Sequence, residues 1–395
     1  MSRSRNRMTS VTGPLQSARR IIAVVGKKSK NEEQGFSVRF SAFKIAMDAI
    51  ADDLLHYKLT NEEKLEGLND LRNYVAEHTS SLIDEEGVIK QETRFNPIAS
   101  SYHPHLWSVR VGKSPTPQEV FSDPQKLTAA IEHYNRALHK RNKGEQEEDE
   151  RGPAFLITTH LAPSATTAAV IRKACSIYRG TQRVSQFSPV AAAALYYMYL
   201  PKGGGAVWDP SMGWGGRMLG AWSCDRVTKY IGSDPSTDTF AGLQRMKRDL
   251  KRLMPDREIR IEPHKLGSET SAMRAKLKPR SVHLIMTSPP YWNREKYSDE
   301  ETQSCVQYKT KEEWLEGFLG GTLDNCQHAL KPGGHLIINI AGVPGFRDLP
   351  KQFVSLAETR GWRKVNELKL ALSQGPGTKL KDQTHRHEPV FVFGR

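Results

Sequence analysis

The sequence predicts an α/β protein built on a mostly parallel, doubly wound sheet, preceded by a largely helical accessory domain. Three observations predict it. From about residue 153 short apolar runs alternate with helical stretches, as in strands laid parallel by crossover helices. Two of those runs end in loops rich in glycine or proline, at Asp209–Gly216 and Thr287–Tyr291, and ligands of such sheets bind beyond the carboxyl ends of the strands. Before about residue 150 the pattern is helical instead.

In chain order, residues 1–35 carry Arg3, Arg5, Arg7, Arg19, Arg20, Lys27, Lys28 and Lys30 against only Glu32 and Glu33. They read as a flexible basic arm suited to phosphates, or as a solvated terminus without a role. Residues 36–150 form the expected accessory domain, a candidate for target recognition. Phe40, Phe43, Ala46, Met47, Ile50 and Leu54 fall at helical spacing. A second helix is expected over Asn61–His78, capped by Thr60 with Glu63 in a capping box. Residues 90–125 are less periodic, and a further helix spans Pro124–Lys140. The charge run Arg141–Arg151 reads as a linker.

The remaining domain covers residues 151–395. Its expected strands centre on Val207-Trp208, Tyr230–Gly232, Ile259–Ile261, Leu284–Met286, Leu336–Ile340 and Val390–Phe393.

The net charge of +14 and a pI near 9.5 fit a polyanionic partner, most simply nucleic acid. A generally basic, soluble surface is the plain alternative. No run of 18 apolar residues occurs, which argues against a membrane span. The basic N-terminus lacks an apolar segment behind it, so it does not read as a secretory signal. A cytoplasmic protein is expected. Cys175, Cys224, Cys305 and Cys326 show no zinc-type spacing, so reduced structural thiols and no metal are expected.

Two motifs carry chemistry. In Ser288-Pro289-Pro290-Tyr291, two prolines fix φ and remove two N–H donors. What remains is a rigid shelf of acceptors beside a ring, suited to a flat partner bearing an amino group. In Asp209-Pro210-Ser211-Met212-Gly213-Trp214-Gly215-Gly216, glycines allow close approach of backbone to ligand, and the helix behind favours an anion. Asp234 ends the next strand, where a carboxylate suits ribose hydroxyls or caps a helix.

Together these residues resemble the class I methyltransferases that use S-adenosylmethionine (AdoMet). Thr287–Tyr291 is similar to the catalytic motif of the DNA amino-methyltransferases, which modify cytosine N4 or adenine N6. Ala329-Leu330-Lys331-Pro332-Gly333-Gly334 resembles the turn before their fifth strand, and Glu388–Phe393 their last strand. The resemblance covers roughly residues 180–395. It implies a seven-stranded Rossmann-like sheet, with Asp209, Pro210, Gly213 and Gly215 along the methionine part of AdoMet. It further implies Asp234 on the ribose, Ser268 and Glu269 flanking the adenine, and Phe187, with Ser188 and Pro189, closing over the methionine end.

An exocyclic amine is a poor nucleophile because its lone pair is delocalised into the ring. Ser288 Oγ and the Pro289 carbonyl can draw on its N–H groups as acceptors. In a duplex the base must be flipped out and stacked, here on Tyr291 and Trp292. Arg294 lies in an insert, Asn293–Tyr308, placed to touch the nucleic acid or close over the flipped base, or else an ordinary surface loop. The resemblance associates a leading serine, here Ser288, mainly with cytosine N4 and a leading Asp or Asn with adenine N6. The order of the two motifs departs from many enzymes of the serine type. The expected reaction is therefore methylation of cytosine N4 in DNA. The alternatives are adenine N6 in DNA, an RNA base, or a non-catalytic nucleic-acid-binding protein that keeps the fold. With only some 60 residues after Gly334, target recognition is expected to fall to the N-terminal 150 residues and to the insert.

Overall fold

The computed structural model describes residues 56–90, 92–142, 165–178, 184–372 and 387–395. The expected basic arm, the helix expected at Phe40–Leu54 and most of the linker expected at 141–151 lie outside the described residues. The chain forms two compact units. One holds residues 57–113 and 184–395, the other 114–183 with the first 56.

The smaller unit packs three helices on one another, Pro117–Ser122, Pro124–Asn142 and Ala165–Ile177. Thr116 caps the first of these in a capping box with Glu119.

The larger unit is the sheet expected from the alternation, with a mostly parallel order and helices on both faces. Its strands are β1 (Val88–Ile89), β3 (Gly205–Asp209), β4 (Val227–Ser233), β5 (Arg260–His264), β6 (Val282–Thr287), β8 (Leu330–Asn339), β9 (Arg363–Ala371) and β10 (His387–Gly394). The order is β1-β9-β10-β8-β6-β3-β4-β5, with β10 antiparallel to both its neighbours. Two further short strands, β2 (Arg110–Val111) and β7 (Glu295–Lys296), pair antiparallel with each other.

Side chains on a strand alternate between faces, and here each face has its own core. Val207, Tyr230, Leu284, Ile337 and Val392 point to one; Trp208, Ile231, Ile285, Ile338 and Phe393 to the other. The first core is covered by α1 (Asn61–His78), α2 (Pro189–Tyr199), α3 (Gly216–Ser223) and α4 (Thr237–Leu253). The second is covered by α5 (Ser271–Lys276), α6 (Gly321–Ala329) and α7 (Leu349–Thr359).

Two expectations change. The sheet has eight strands rather than seven, because β1 adds in parallel to β9 at the edge. Residues 57–113, expected in the accessory domain, group with the sheet. The physical reason is the apolar stripe of α1. Leu68, Leu71 and Val75 are buried among Val190–Leu195 and Met218 rather than in a core of their own. The capping box of α1 is present, with Thr60 Oγ1 accepting the Glu63 N–H at 3.1 Å and Glu63 Oε2 accepting that of Thr60 at 2.7 Å. β9 carries no signal in the sequence, since most of its side chains are exposed.

Among the described residues no helix is long and apolar enough to cross a membrane. Cys175, Cys224 and Cys326 are buried and unpaired, and burial pushes the Cys175 thiol up to about 12.

Candidate active site

The chain order of the strands reverses between β3 and β6. From β3 the sheet runs out through β4 to β5, and β6 then pairs on the other side of β3. The splayed loops at such a switch point leave a crevice. Here a cleft of about 650 Å³, its solvent side included, opens among the loops after β3, β4, β5 and β6.

The loop after β3 is held from behind. Asp209, fully buried, accepts Arg217 Nε at 2.8 Å and Nη2 at 3.2 Å. It also accepts the Tyr230 hydroxyl at 2.6 Å and the Ser211 N–H at 3.2 Å. Arg217 Nη2 further donates to the Ser211 carbonyl. With its acceptors so engaged, Asp209 braces the loop and does not line the cleft. Pro210 and Gly213 do line it. Gly213 sits at φ +53° with open space where a side chain would stand, so its backbone faces the cleft bare. Gly215 turns the chain into α3. Gly216 must be glycine, because a Cβ there would stand 2.0 Å from the Phe187 carbonyl oxygen. Phe187 therefore supports the loop from outside, its ring 5.6 Å from the Arg217 guanidinium, and is not part of the cleft wall. Ser188 caps α2 behind it.

Asp234, at the end of β4, is brought to the cleft beside Gly213. Its Oδ2 accepts the Gly213 N–H at 2.9 Å and its Oδ1 the Ser236 N–H at 3.0 Å. Burial pushes its carboxyl up to about 7, against the lowering effect of those two bonds. After β5, Ser268 and Glu269 line the cleft. Ser268 Oγ lies 2.8 Å from Thr322 Oγ1. Glu269 Oε2 is buried with no hydrogen-bond partner, and burial raises its pKa. A buried acceptor without a donor is an opening for a ligand's N–H or O–H. The bare Gly213 backbone, the Asp234 carboxylate and the orphaned Glu269 oxygen thus fit a nucleoside carrying hydroxyl and amino groups.

On the β6 side, Ser288 and Pro290 face the same cleft. Ser288 Oγ donates to Asn339 Oδ1 at 3.2 Å. The Tyr291 hydroxyl lies 3.1 Å from Asn339 Oδ1 and 3.2 Å from Glu388 Oε2, which tethers the far end of its half-buried ring. Trp292 turns the other way. At φ +56° its side chain enters the second core, 8% exposed and edge-on to Trp314 at 5.9 Å. It is therefore not a stacking surface, because its ring already fills the core. Arg294 is fixed by its backbone, its carbonyl accepting the Gly112 N–H at 3.0 Å next to the β2–β7 pair.

Several residues of the cleft were missed from the sequence. Trp214 and Tyr297 form part of its wall, their rings 5.9 Å apart. His103 and His105 pack against Trp214 at 5.6 and 5.2 Å. His103 is fully buried with neither ring nitrogen bonded, and burial lowers its pKa to about 3. Trp214 stood in view inside the glycine loop. The histidines had no signal, since only the fold brings residue 103 to the loop after β3.

Residues 282–395 match the model of the N6_N4_Mtase family, described as DNA methylase. No curated protein matches the chain. Solved structures similar to part of this chain include precorrin 8w decarboxylase of Methanobacterium thermoautotrophicum, at 12% identity over 54% of this chain and 92% of that one, with a TM-score of 0.35. Precorrin-6y C5,15-methyltransferase of Geobacter metallireducens matches at 12% identity over 51% and 84%, with a TM-score of 0.31. TYW2 of P. horikoshii, in complex with MeSAdo, matches at 13% identity over 53% and 64%, with a TM-score of 0.32. The stretch that carries Ser288, Tyr291, Asn339 and Glu388 is thus the stretch similar to DNA methylases.

Proposed function

We propose that this protein transfers a methyl group from AdoMet to the exocyclic amino group of a base in DNA, cytosine N4 before adenine N6. One observation carries the reading. The acceptor Ser288 opens on the same cleft as Gly213, Asp234 and Glu269, so an amine and a nucleoside methyl donor can meet there. AdoMet, when bound, supplies an electrophilic methyl group on a sulfonium. Asp234 would hold its ribose, Ser268 and Glu269 its adenine, and Pro210 and Gly213 its methionine part. Asp209, Gly215 and Phe187 would act by shaping the loop.

The rest falls to residues of the shelf. Ser288 Oγ and the Pro289 carbonyl accept N–H bonds from the amine and localise its lone pair. Pro290 stiffens the shelf, and orientation supplies much of the rate. Tyr291 offers its ring to a flipped base. As the new nitrogen–carbon bond forms and the methyl group's bond to sulfur breaks, the amine nitrogen becomes cationic and releases one proton to solvent water. Arg294, the rest of its insert and the basic N-terminal residues would meet the nucleic acid.

Calorimetry with AdoMet, followed by methyl transfer to plasmid DNA and to RNA, tests the proposal. Mass spectrometry of the product nucleosides then separates N4-methylcytosine from N6-methyladenine. Binding of AdoMet without turnover on either polymer would overturn it.

A further inference from the structure

Resting on the methyltransferase reading, we infer that Asn339 is a positioning residue that makes Ser288 a hydrogen-bond acceptor towards the cleft. A hydroxyl both donates and accepts. Left free to rotate, the Ser288 hydroxyl would direct its proton into the cleft about as readily as its lone pairs. A proton so placed would compete for the amine's own lone pair and slow the attack.

The surroundings of Ser288 remove that freedom. Asn339 is the last residue of β8, beside β6, and is 3% exposed. Its Nδ2 donates to the Pro389 carbonyl at 3.1 Å, which fixes the amide so that Oδ1 faces Ser288 and Tyr291. That oxygen can only accept. It stands 3.2 Å from Ser288 Oγ and takes the serine proton. The other polar neighbour is the Tyr291 hydroxyl, 3.4 Å from Ser288 Oγ. The tyrosine has acceptors of its own in Asn339 Oδ1 and Glu388 Oε2, and a bond to a carboxylate is the stronger kind. Glu388 thus keeps the tyrosine proton away from the serine. Both lone pairs of Ser288 Oγ are left for the substrate. A neutral serine thereby acquires the acceptor-only character that an ionised carboxylate has by nature.

A double-mutant cycle tests this, with wild type run alongside on the DNA or RNA it methylates. The variants are Ser288→Ala, Asn339→Leu, the pair together, and Asn339→Asp. Asn339→Leu is expected to lower kcat roughly ten- to a hundredfold, with the KM and Kd for AdoMet unchanged. In the Ser288→Ala background it is expected to cost nothing further, because Asn339 acts through Ser288. Asn339→Asp keeps an acceptor for the serine proton and is expected to retain more turnover than Asn339→Leu, whatever either does to the melting temperature. Additive losses, full activity of Asn339→Leu, or the reverse ranking of Leu and Asp would overturn the inference while leaving the methyltransferase reading intact. An inactive wild type would overturn both.

Discussion

Ser288 and Asp234 face one cleft from the ends of β6 and β4, and they fail in different ways. Replacing Ser288 by alanine removes an acceptor needed only while the amine attacks. Turnover is expected to fall roughly a hundredfold or more, with AdoMet affinity unchanged in calorimetry. Unchanged turnover would refute the role of Ser288. Asp234 makes a pH-dependent prediction. Its carboxyl titrates near 7 in the folded chain and about 4 in the unfolded chain. Between those values the folded state binds the extra proton, so stability declines as pH rises through that window. Asp234→Asn is expected to flatten that decline, as measured by denaturant midpoints at pH 5 and pH 8. In the same window AdoMet affinity of the wild type should rise, because the ionised carboxylate is the better acceptor for ribose hydroxyls.

At the scale of elements, the site depends on close approach between segments far apart in sequence. α3 can start where it does only because Gly216 passes under the Phe187 carbonyl. Gly216→Ala is expected to cost about 1–3 kcal/mol or more, as overpacking does, and to lower the melting temperature. A variant with wild-type stability would mean that the Phe187–Ser188 turn yields easily. The same tight seam explains why Asp209 serves structure. Its carboxylate lies beneath the loop, within reach of Arg217 on the first turns of α3. The motif Asp209-Pro210 was legible as a strand end followed by a turn. That the aspartate is held by Arg217 and Tyr230 was not, because those partners are chosen by packing. Trp292 is a similar case. Beside Tyr291 it looks like a second stacking ring, yet its positive φ commits it to the core with Trp314.

For the molecule as a whole, charge is the property that acts at long range. With a net charge of +14, binding to DNA is expected to weaken steeply as salt rises. Removing residues 1–35, eight of whose Lys and Arg are named above, should reduce the slope of log affinity against log salt. Methylation of a single nucleoside or short oligonucleotide should be little affected. An unchanged slope would exclude the arm from the nucleic-acid interface.

The alternation of short apolar runs by itself determined the parallel sheet, because a strand covered on both faces needs apolar residues in succession. Prolines and glycines at strand ends likewise determined the two loops, because their backbone limits are local. The eighth strand, the attachment of residues 57–113 to the sheet, and the cluster of Asn339, Tyr291 and Glu388 around Ser288 were decided only by the tertiary structure. Each depends on residues brought together across roughly 50 to 280 positions of chain, and no local pattern records which distant partner will fill a given hydrogen bond or edge.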